Sequence, residues 1–205
     1  MKWFAYLPLS MALAVAASLP ASAQERIVLL RHGEKPAQGL GQLTCKGLNR
    51  ALLLPAFLAQ EFPRPDYIFA PDPSVKACEL HGDGQCYDYV RPLVTIDPTA
   101  IRLGMPVDTQ IAYNDIGRLA DTLLGERYRK STVLVAWEHL NIVHFSELVL
   151  RRLGSSAAVP DWSNGDYDTI FELLVGANEP RTVQLKVHTE KLGELSDSCP
   201  TGVSH

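Results

Sequence analysis

Two pairs of adjacent residues, each at the end of an apolar run, carry the side chains best suited to chemistry. Arg31 and His32 follow IVLL, and Glu138 and His139 follow TVLVAW. A guanidinium offers a planar fork of donors that fits the oxygens of phosphates and carboxylates. A neutral imidazole can act as a nucleophile or as a proton acceptor. The two pairs together predict a site for an anionic ligand.

An alternation of strands and helices is predicted to position these pairs. Strands are expected at 27–30, 67–70 and 132–137, with a possible edge strand at 105–109 and paired late strands at 171–175 and 182–187; helices are expected at 44–59, 91–100, 115–124 and 142–153. This order predicts an α/β fold, a three-layer α/β/α sandwich with a mostly parallel central sheet. Ligands of such sheets bind beyond the carboxyl ends of the strands, so both histidines should face one crevice. Gly33 is expected to leave room where the ligand approaches the backbone.

Four segments in order resemble one known family. LLRHGEKP, LTCKGLNRA, YVRPLVTIDPTA and VLVAWEH are similar to the signature segments of the histidine phosphatase superfamily, which contains cofactor-dependent phosphoglycerate mutases and many phosphatases. The matches cover most of residues 26–145. The resemblance implies a phosphoglycerate mutase-like fold in an exported, bacterial-type member. Residues 71–89 would then be an insertion before the second arginine, Arg91.

The resemblance also implies a role for each core residue. His32 would be the nucleophile that forms a phosphohistidine, and His139 a cationic partner of the transferring phosphoryl group. Arg31, Arg91 and His139 would bind the phosphate. The function expected is a phosphate monoester hydrolase that acts on a small-molecule phosphate ester, without a metal or another cofactor. A non-catalytic phosphate-binding module of the same fold and a phosphomutase are the alternatives.

The general acid that protonates the leaving group has three candidates in the sequence. Glu138 is favoured because it adjoins His139. Neighbouring side chains of a strand point to opposite faces, which counts against Glu138 unless the strand ends at Trp137. Asp108 and Asp115 are the alternatives, since mutase-like relatives carry the acid in that interval. Asp115 is equally well explained as a helix N-cap.

Composition and the N-terminus indicate an exported protein of one domain. The 205 residues carry a formal charge of −4, which excludes a generally basic nucleic-acid-binding surface. Residues 1–23 have a basic start, an apolar stretch and the small-residue site Ala21-Ser22-Ala23, and they predict a cleaved signal peptide. An uncleaved membrane anchor is the alternative. Residues 24–205 would form a single domain, periplasmic or secreted, with no stable membrane insertion after cleavage.

The four cysteines predict two disulfides in an oxidising compartment. Three connectivities are possible. Cys78 with Cys86 is favoured because the glycines between them allow a tight reversal, and Cys45 with Cys199 follows by elimination. A metal site that uses His81 is the weaker alternative, because no C-x-x-C spacing is present.

Three further features have open interpretations. Glu34 is either a partner for an arginine or a turn residue. Arg50 either reaches the site or lies on the surface of its helix, and the surface position is favoured. The segment DWSNGDYD, 161–168, either rims the pocket or forms a turn before the late strands.

Overall fold

The computed structural model describes residues 24–78, 82–192 and 194–201; the predicted signal peptide lies outside these residues. The strands are β1 (Gln24–Arg31), β2 (Tyr67–Phe69), β3 (Lys76–Cys78), β4 (Cys86–Asp88), β5 (Thr132–Trp137), β6 (Thr169–Gly176) and β7 (Val183–Thr189). The helices are α1 (Cys45–Glu61), α2 (Arg91–Leu103), α3 (Ile116–Leu123) and α4 (His139–Arg152), with a short 3₁₀ turn at Glu126–Tyr128.

The central sheet has the strand order β2-β5-β1-β6-β7. β2, β5 and β1 are parallel, whereas β6 is antiparallel to both β1 and β7. Four of the five strands therefore run in one direction and β6 runs against them. The predicted α/β sandwich is confirmed, and the predicted late strands pair with each other as β6 and β7.

Two hydrophobic clusters lie on opposite faces of the sheet, as the period of a strand requires. Ile27 and Leu29 of β1 face the cluster that includes α3 and α4. Val28 and Leu30 face the cluster that includes α1 and α2. β1 is buried on both faces, so its tip is held rigidly at the centre of the molecule.

Helix boundaries differ from the predicted ones where proline and capping residues act. α1 continues through Pro55 to Glu61, and α2 continues through Pro98. The buried side chains on either side of Pro55 keep α1 packed, which outweighs one missing backbone hydrogen bond. α4 begins at His139, three residues earlier than expected, because Glu138 caps it. The possible edge strand at 105–109 is reduced to a single bridge between Asp108 and Phe69.

The predicted insertion contains a small hairpin, β3 and β4, closed by a disulfide between Cys78 and Cys86. A second disulfide joins Cys45, at the start of α1, to Cys199 near the C-terminus. Both predicted pairings are confirmed. Over the described ranges, no helix has the length and apolar character needed to cross a bilayer.

Candidate active site

The two predicted pairs of residues meet at one edge of the sheet. Arg31 is in register with Trp137, so the residues that follow these two strand ends are neighbours. They open into a cavity of about 470 Å³. Its lining combines charged, polar and small or apolar residues: Arg31, His32, Lys35, Ala37, Ala77, Cys78, Tyr89, Arg91, Tyr113, Glu138, His139, Leu140 and Asn164.

His32 lies at the base of this cavity and is only 2% exposed. Its Nδ1 lies 2.7 Å from the carbonyl oxygen of Gly33. A carbonyl can only accept, so Nδ1 carries the proton and Nε2 keeps its lone pair. Burial and the positive charges of Arg91 and Arg31 hold the pKa of His32 well below its usual value. The ring is therefore neutral at physiological pH, the state that a nucleophile needs.

Arg31 is held by the loop that precedes β6. Its Nη1 donates to the backbone oxygens of Ser163, Asn164 and Asp166, at 3.4, 2.8 and 2.7 Å. The guanidinium lies 3.9 Å from the centre of the Tyr167 ring. Its Nε is buried and has no hydrogen-bond partner among the described residues. A buried donor without a partner in the lining of a cavity is suited to an anionic ligand.

Arg91 begins α2, and the same helix is fastened to the segment after β1. The side chain of Arg91 donates to the carbonyl oxygen of Gly39 at 3.1 Å and lies 4.7 Å from the centre of the Tyr89 ring. Thr95 accepts from the backbone N–H of Gly33 at 2.9 Å and donates to the carbonyl oxygen of Arg91 at 2.8 Å. This hydroxyl fixes the second arginine relative to the His32 segment.

His139 is the first residue of α4, and both of its ring nitrogens face acceptor oxygens. Nε2 lies 2.8 Å from Oδ1 of Asn164. Nδ1 lies 2.5 Å from Oε1 of Glu138, a close contact whose angles fall outside those of a hydrogen bond. The two contacts together fix the orientation of the ring.

Glu138 lines the same cavity, since β5 ends at Trp137 and the objection from strand alternation lapses. Its Oε2 accepts from the backbone N–H of Asn141 at 2.9 Å and caps α4. Burial raises the pKa of Glu138, but the contact with His139 and the backbone donors lower it further, to about 2. The structure thus favours the carboxylate, which has no proton to give. This weighs against the predicted acid role, which stays a prediction.

The two alternative acids lie elsewhere. Asp115 caps α3 and accepts from the backbone N–H of Arg118 at 3.1 Å. Asp108 accepts from the backbone N–H of Gln110 beside the end of β2. Neither side chain lines the cavity that contains His32. The helix-cap interpretation of Asp115 is confirmed.

The structure adds a reason for one neighbouring residue and corrects another. Gly33 makes room for the backbone of Gly47 in α1, because a Cβ on Gly33 would lie 2.8 Å from the Gly47 carbonyl oxygen. The approach of a ligand to Gly33 stays a prediction, whereas the surface position of Arg50 is wrong. Arg50 is 1% exposed, not on the surface, because its side chain turns inward to Glu34, Asp168 and Glu190.

Asn164 is the site residue that sequence reasoning missed. Its backbone oxygen holds Arg31 and its side-chain oxygen holds His139. The segment 161–168 therefore contributes Asn164 to the cavity and also turns the chain into β6, so both of its predicted interpretations apply. The only signal was its richness in polar residues and glycine, which is typical of any loop. Within the described ranges, no group of three or more His, Cys, Asp or Glu side chains is arranged to hold a metal ion.

Comparison with known proteins gives structural matches only. No family model matches the chain, and no curated protein sequence matches it. A putative phosphohistidine phosphatase SixA from Nakamurella multipartitia is 17% identical, with a TM-score of 0.54 over 81% of this chain and 96% of that one. A mycobacterial glucosyl-3-phosphoglycerate phosphatase is 15% identical, with a TM-score of 0.54 over 80% of this chain and 98% of that one.

A third solved structure with a similar fold is also described as a phosphatase. A phosphoserine phosphatase mutant from Entamoeba histolytica, solved with phosphoserine, is 12% identical, with a TM-score of 0.51 over 82% of this chain and 98% of that one. Each of the three structures is described as a phosphatase, and each shares its fold with this chain. The chain has the phosphoglycerate mutase-like fold, as the resemblance of its motifs implied.

Proposed function

We propose that this chain is a phosphate monoester hydrolase that acts through a phosphohistidine on His32. The observation that carries the proposal is the state of His32, whose Nε2 keeps a lone pair in a cavity that two arginines line. Its fold is that of proteins described as phosphatases, which supports the same reaction class.

The proposed reaction has two in-line steps. Nε2 of His32 attacks phosphorus, the P–N bond forms, the ester P–O bond breaks, and the leaving oxygen takes up a proton. Water then attacks phosphorus, the P–N bond breaks, and inorganic phosphate leaves. Arg31, Arg91 and His139 would neutralise the phosphoryl oxygens, and such charge stabilisation supplies most of the catalysis in phosphoryl transfer.

The proposed substrate is a small-molecule phosphate ester. The cavity of about 470 Å³ has room for a leaving group beyond the phosphate itself. The overall acidic charge speaks against nucleic acid as the partner. We place the protein in the periplasm or outside the cell, because two disulfides suit an oxidising compartment.

A phosphate-binding module without catalysis is a second candidate, favoured by one observation. Glu138 is the only carboxyl side chain that lines the described part of the cavity, and its pKa of about 2 leaves it ionised. Such a site could bind a phosphate ester and fail to protonate the leaving alkoxide. A nitrophenyl phosphate needs little protonation and therefore reports on the nucleophile alone.

The test compares nitrophenyl phosphate hydrolysis by the parent, His32→Ala and His144→Ala. His144 is exposed on α4 and serves as the matched control. We expect His32→Ala to lose turnover and the acid-labile phosphoenzyme that rapid quenching traps in the parent, while His144→Ala keeps both. Turnover by His32→Ala near the parent rate would exclude the mechanism. Phosphate binding by a parent that shows no turnover would favour the binding module.

A further inference from the structure

We infer that Arg50 and Asp168 are positioning residues of the proposed phosphate site, and that their salt bridge holds the loop 163–168 in the place that orients Arg31 and His139. The inference rests on the proposed function, because it concerns the same cavity. It assigns a role to a buried arginine that does not itself line that cavity.

Arg50 projects from α1 into a cluster of three carboxyl groups. Its Nε and Nη2 donate to the two oxygens of Glu34, at 3.1 and 2.9 Å. Its Nη1 donates to Asp168 and to Glu190, both at 2.6 Å. The side chain of Arg50 is 2% exposed, so these contacts are shielded from water. A bidentate pair and two short bonds fix the guanidinium in position and angle.

Each ionised partner leads to a different part of the active site. Glu34 lies two residues after His32. Asp168 follows Tyr167, whose ring lies against the guanidinium of Arg31. Arg50 thus joins the segment of the nucleophile to the loop of the two phosphate-binding cations.

The loop matters to the site because it holds both cations. Three of its backbone oxygens bind Arg31, and the Asn164 side chain binds His139. Two contacts in turn hold the loop at Asp168: the backbone N–H of Glu190 donates to the Asp168 carbonyl oxygen at 2.8 Å, and Arg50 binds the Asp168 side chain. Asp166 accepts from the backbone N–H groups of Asp168 and Thr169, which turns the chain into β6. The Arg50 salt bridge fastens this turn to α1 on the far side of the sheet from α4.

Of the three carboxyl groups around Arg50, Glu34 and Asp168 are its ionic partners, and both connect it to the active site. Burial raises the pKa of Glu190 to about 8, more than the attraction of Arg50 lowers it. The hydrogen bonds and charge of Arg50 instead hold the pKa of Glu34 below its usual value, although burial opposes them. Near neutral pH, Glu190 keeps much of its proton, so the charge of Arg50 is directed at Glu34 and Asp168. The charge of Lys46 also lowers the pKa of Glu34.

The experiment measures the affinity for inorganic phosphate by calorimetry, together with kcat and KM for nitrophenyl phosphate. Asp168→Asn removes the charge that Arg50 holds, at a side chain 28% exposed and therefore tolerant of change. We expect at least about a tenfold rise in the phosphate Kd and a similar fall in kcat/KM, since small displacements of charged groups are costly. Asp168→Glu keeps the carboxylate and is expected to restore most of both.

Two further variants separate positioning from general loss of structure. Asp121→Asn removes an exposed salt bridge to Arg152, at 2.7 Å, and leaves the cavity untouched. The phosphate affinity should change only in Asp168→Asn, when it is measured at a temperature at which thermal unfolding shows both variants to be fully folded. In a double-mutant cycle, Tyr167→Leu and Asp168→Asn should cost less together than the sum of the two, because both act on Arg31.

The outcomes for the positioning role and for the proposed function are distinct. Unchanged phosphate affinity in Asp168→Asn, or additive losses in the cycle, would overturn the positioning role. A parent that binds phosphate without hydrolysing esters would overturn the proposed function and leave the positioning role measurable through Kd. A parent that binds no phosphate would overturn both.

Discussion

Glu138 and His139 form one structural unit, in which the carboxylate caps the helix that the histidine begins. Oε2 of Glu138 accepts from the backbone of Asn141, and Oε1 lies 2.5 Å from Nδ1 of His139. The same side chain therefore fixes the start of α4 and the ring that α4 presents to the cavity. Two roles follow for Glu138, that of a proton donor and that of a support for His139, and they differ in measurable ways.

Glu138→Gln distinguishes these roles through the leaving group. A lost acid would lower kcat on an alkyl phosphate by roughly 10²–10⁴-fold and on a nitrophenyl phosphate far less. Because the pKa of Glu138 is about 2, we expect the loss to be similar for both esters, as for a support of His139. The measurement is the ratio of the two kcat values. Asp115→Asn, which can still cap α3, is the control and should keep the parent ratio and melting temperature.

The protonation of His32 is predicted to differ from that of an exposed histidine. Its folded pKa lies well below the usual 6.5, chiefly because of burial and the charge of Arg91. We expect one imidazole resonance, absent from His32→Ala, to keep the neutral shift in NMR as the pH falls from 7.5 through 6.5. A His32 resonance that titrates near pH 6.5 would show that water reaches the ring and that the protein does not keep it neutral.

Gly47→Ala is predicted to displace the segment that carries His32, although Gly47 does not line the cavity. A Cβ on Gly47 would lie 2.5 Å from the carbonyl oxygen of Glu34 and 2.8 Å from its backbone nitrogen. Both are backbone atoms that cannot rotate away as a side chain would. We expect a loss of about 2 kcal/mol in unfolding free energy, by analogy with overpacked cores, and a fall in kcat/KM. Gly117→Ala in α3 is the control, since its nearest neighbour would be at 3.9 Å. Urea unfolding of both variants tests the prediction, which equal stabilities would contradict.

Glu190 is predicted to make stability depend on pH. The folded state keeps this proton up to about pH 8, whereas the unfolded chain releases it near 4.5. Between these values the folded state binds more protons, so raising the pH destabilises the parent, by at most about 1.4 kcal/mol per pH unit. Glu190→Gln lacks this term, and its stability relative to the parent should grow from pH 5 to pH 8. Parallel pH profiles of the two would show that Glu190 ionises normally.

The strand tips could be predicted from the sequence because local signals and the topology of the sheet agree. An apolar run fixes β1 and β5, and parallel neighbours end at the same edge, so Arg31, His32 and His139 had to lie close together. Arg91 was found through the resemblance of its segment, and the disulfides through the glycines between Cys78 and Cys86. The fold followed from the same alternation.

The remaining features depend on contacts between distant segments, which leave no local pattern. Arg50 looks like a surface arginine until α1 is packed, when three carboxyl groups from separate segments surround it. Asn164 lies in a loop of ordinary composition, and only its contacts with Arg31 and His139 give it a role. A proline inside a helix usually ends or kinks it, but the buried residues on both sides of Pro55 keep α1 continuous.

The disulfide between Cys45 and Cys199 makes the covalent structure a ring. Every helix of the fold, and every strand except β1, belongs to the segment between the two cysteines. β1 precedes that segment and is the central strand of the sheet, paired on either side with β5 and β6. A single peptide bond cut anywhere between the two cysteines therefore releases no fragment, and the cut chain keeps its mass until it is reduced. The ring also cannot close before Cys199 has been made, which is after every strand and helix of the described fold. A segment synthesised late thus locks the position of α1, the helix that follows the first strand.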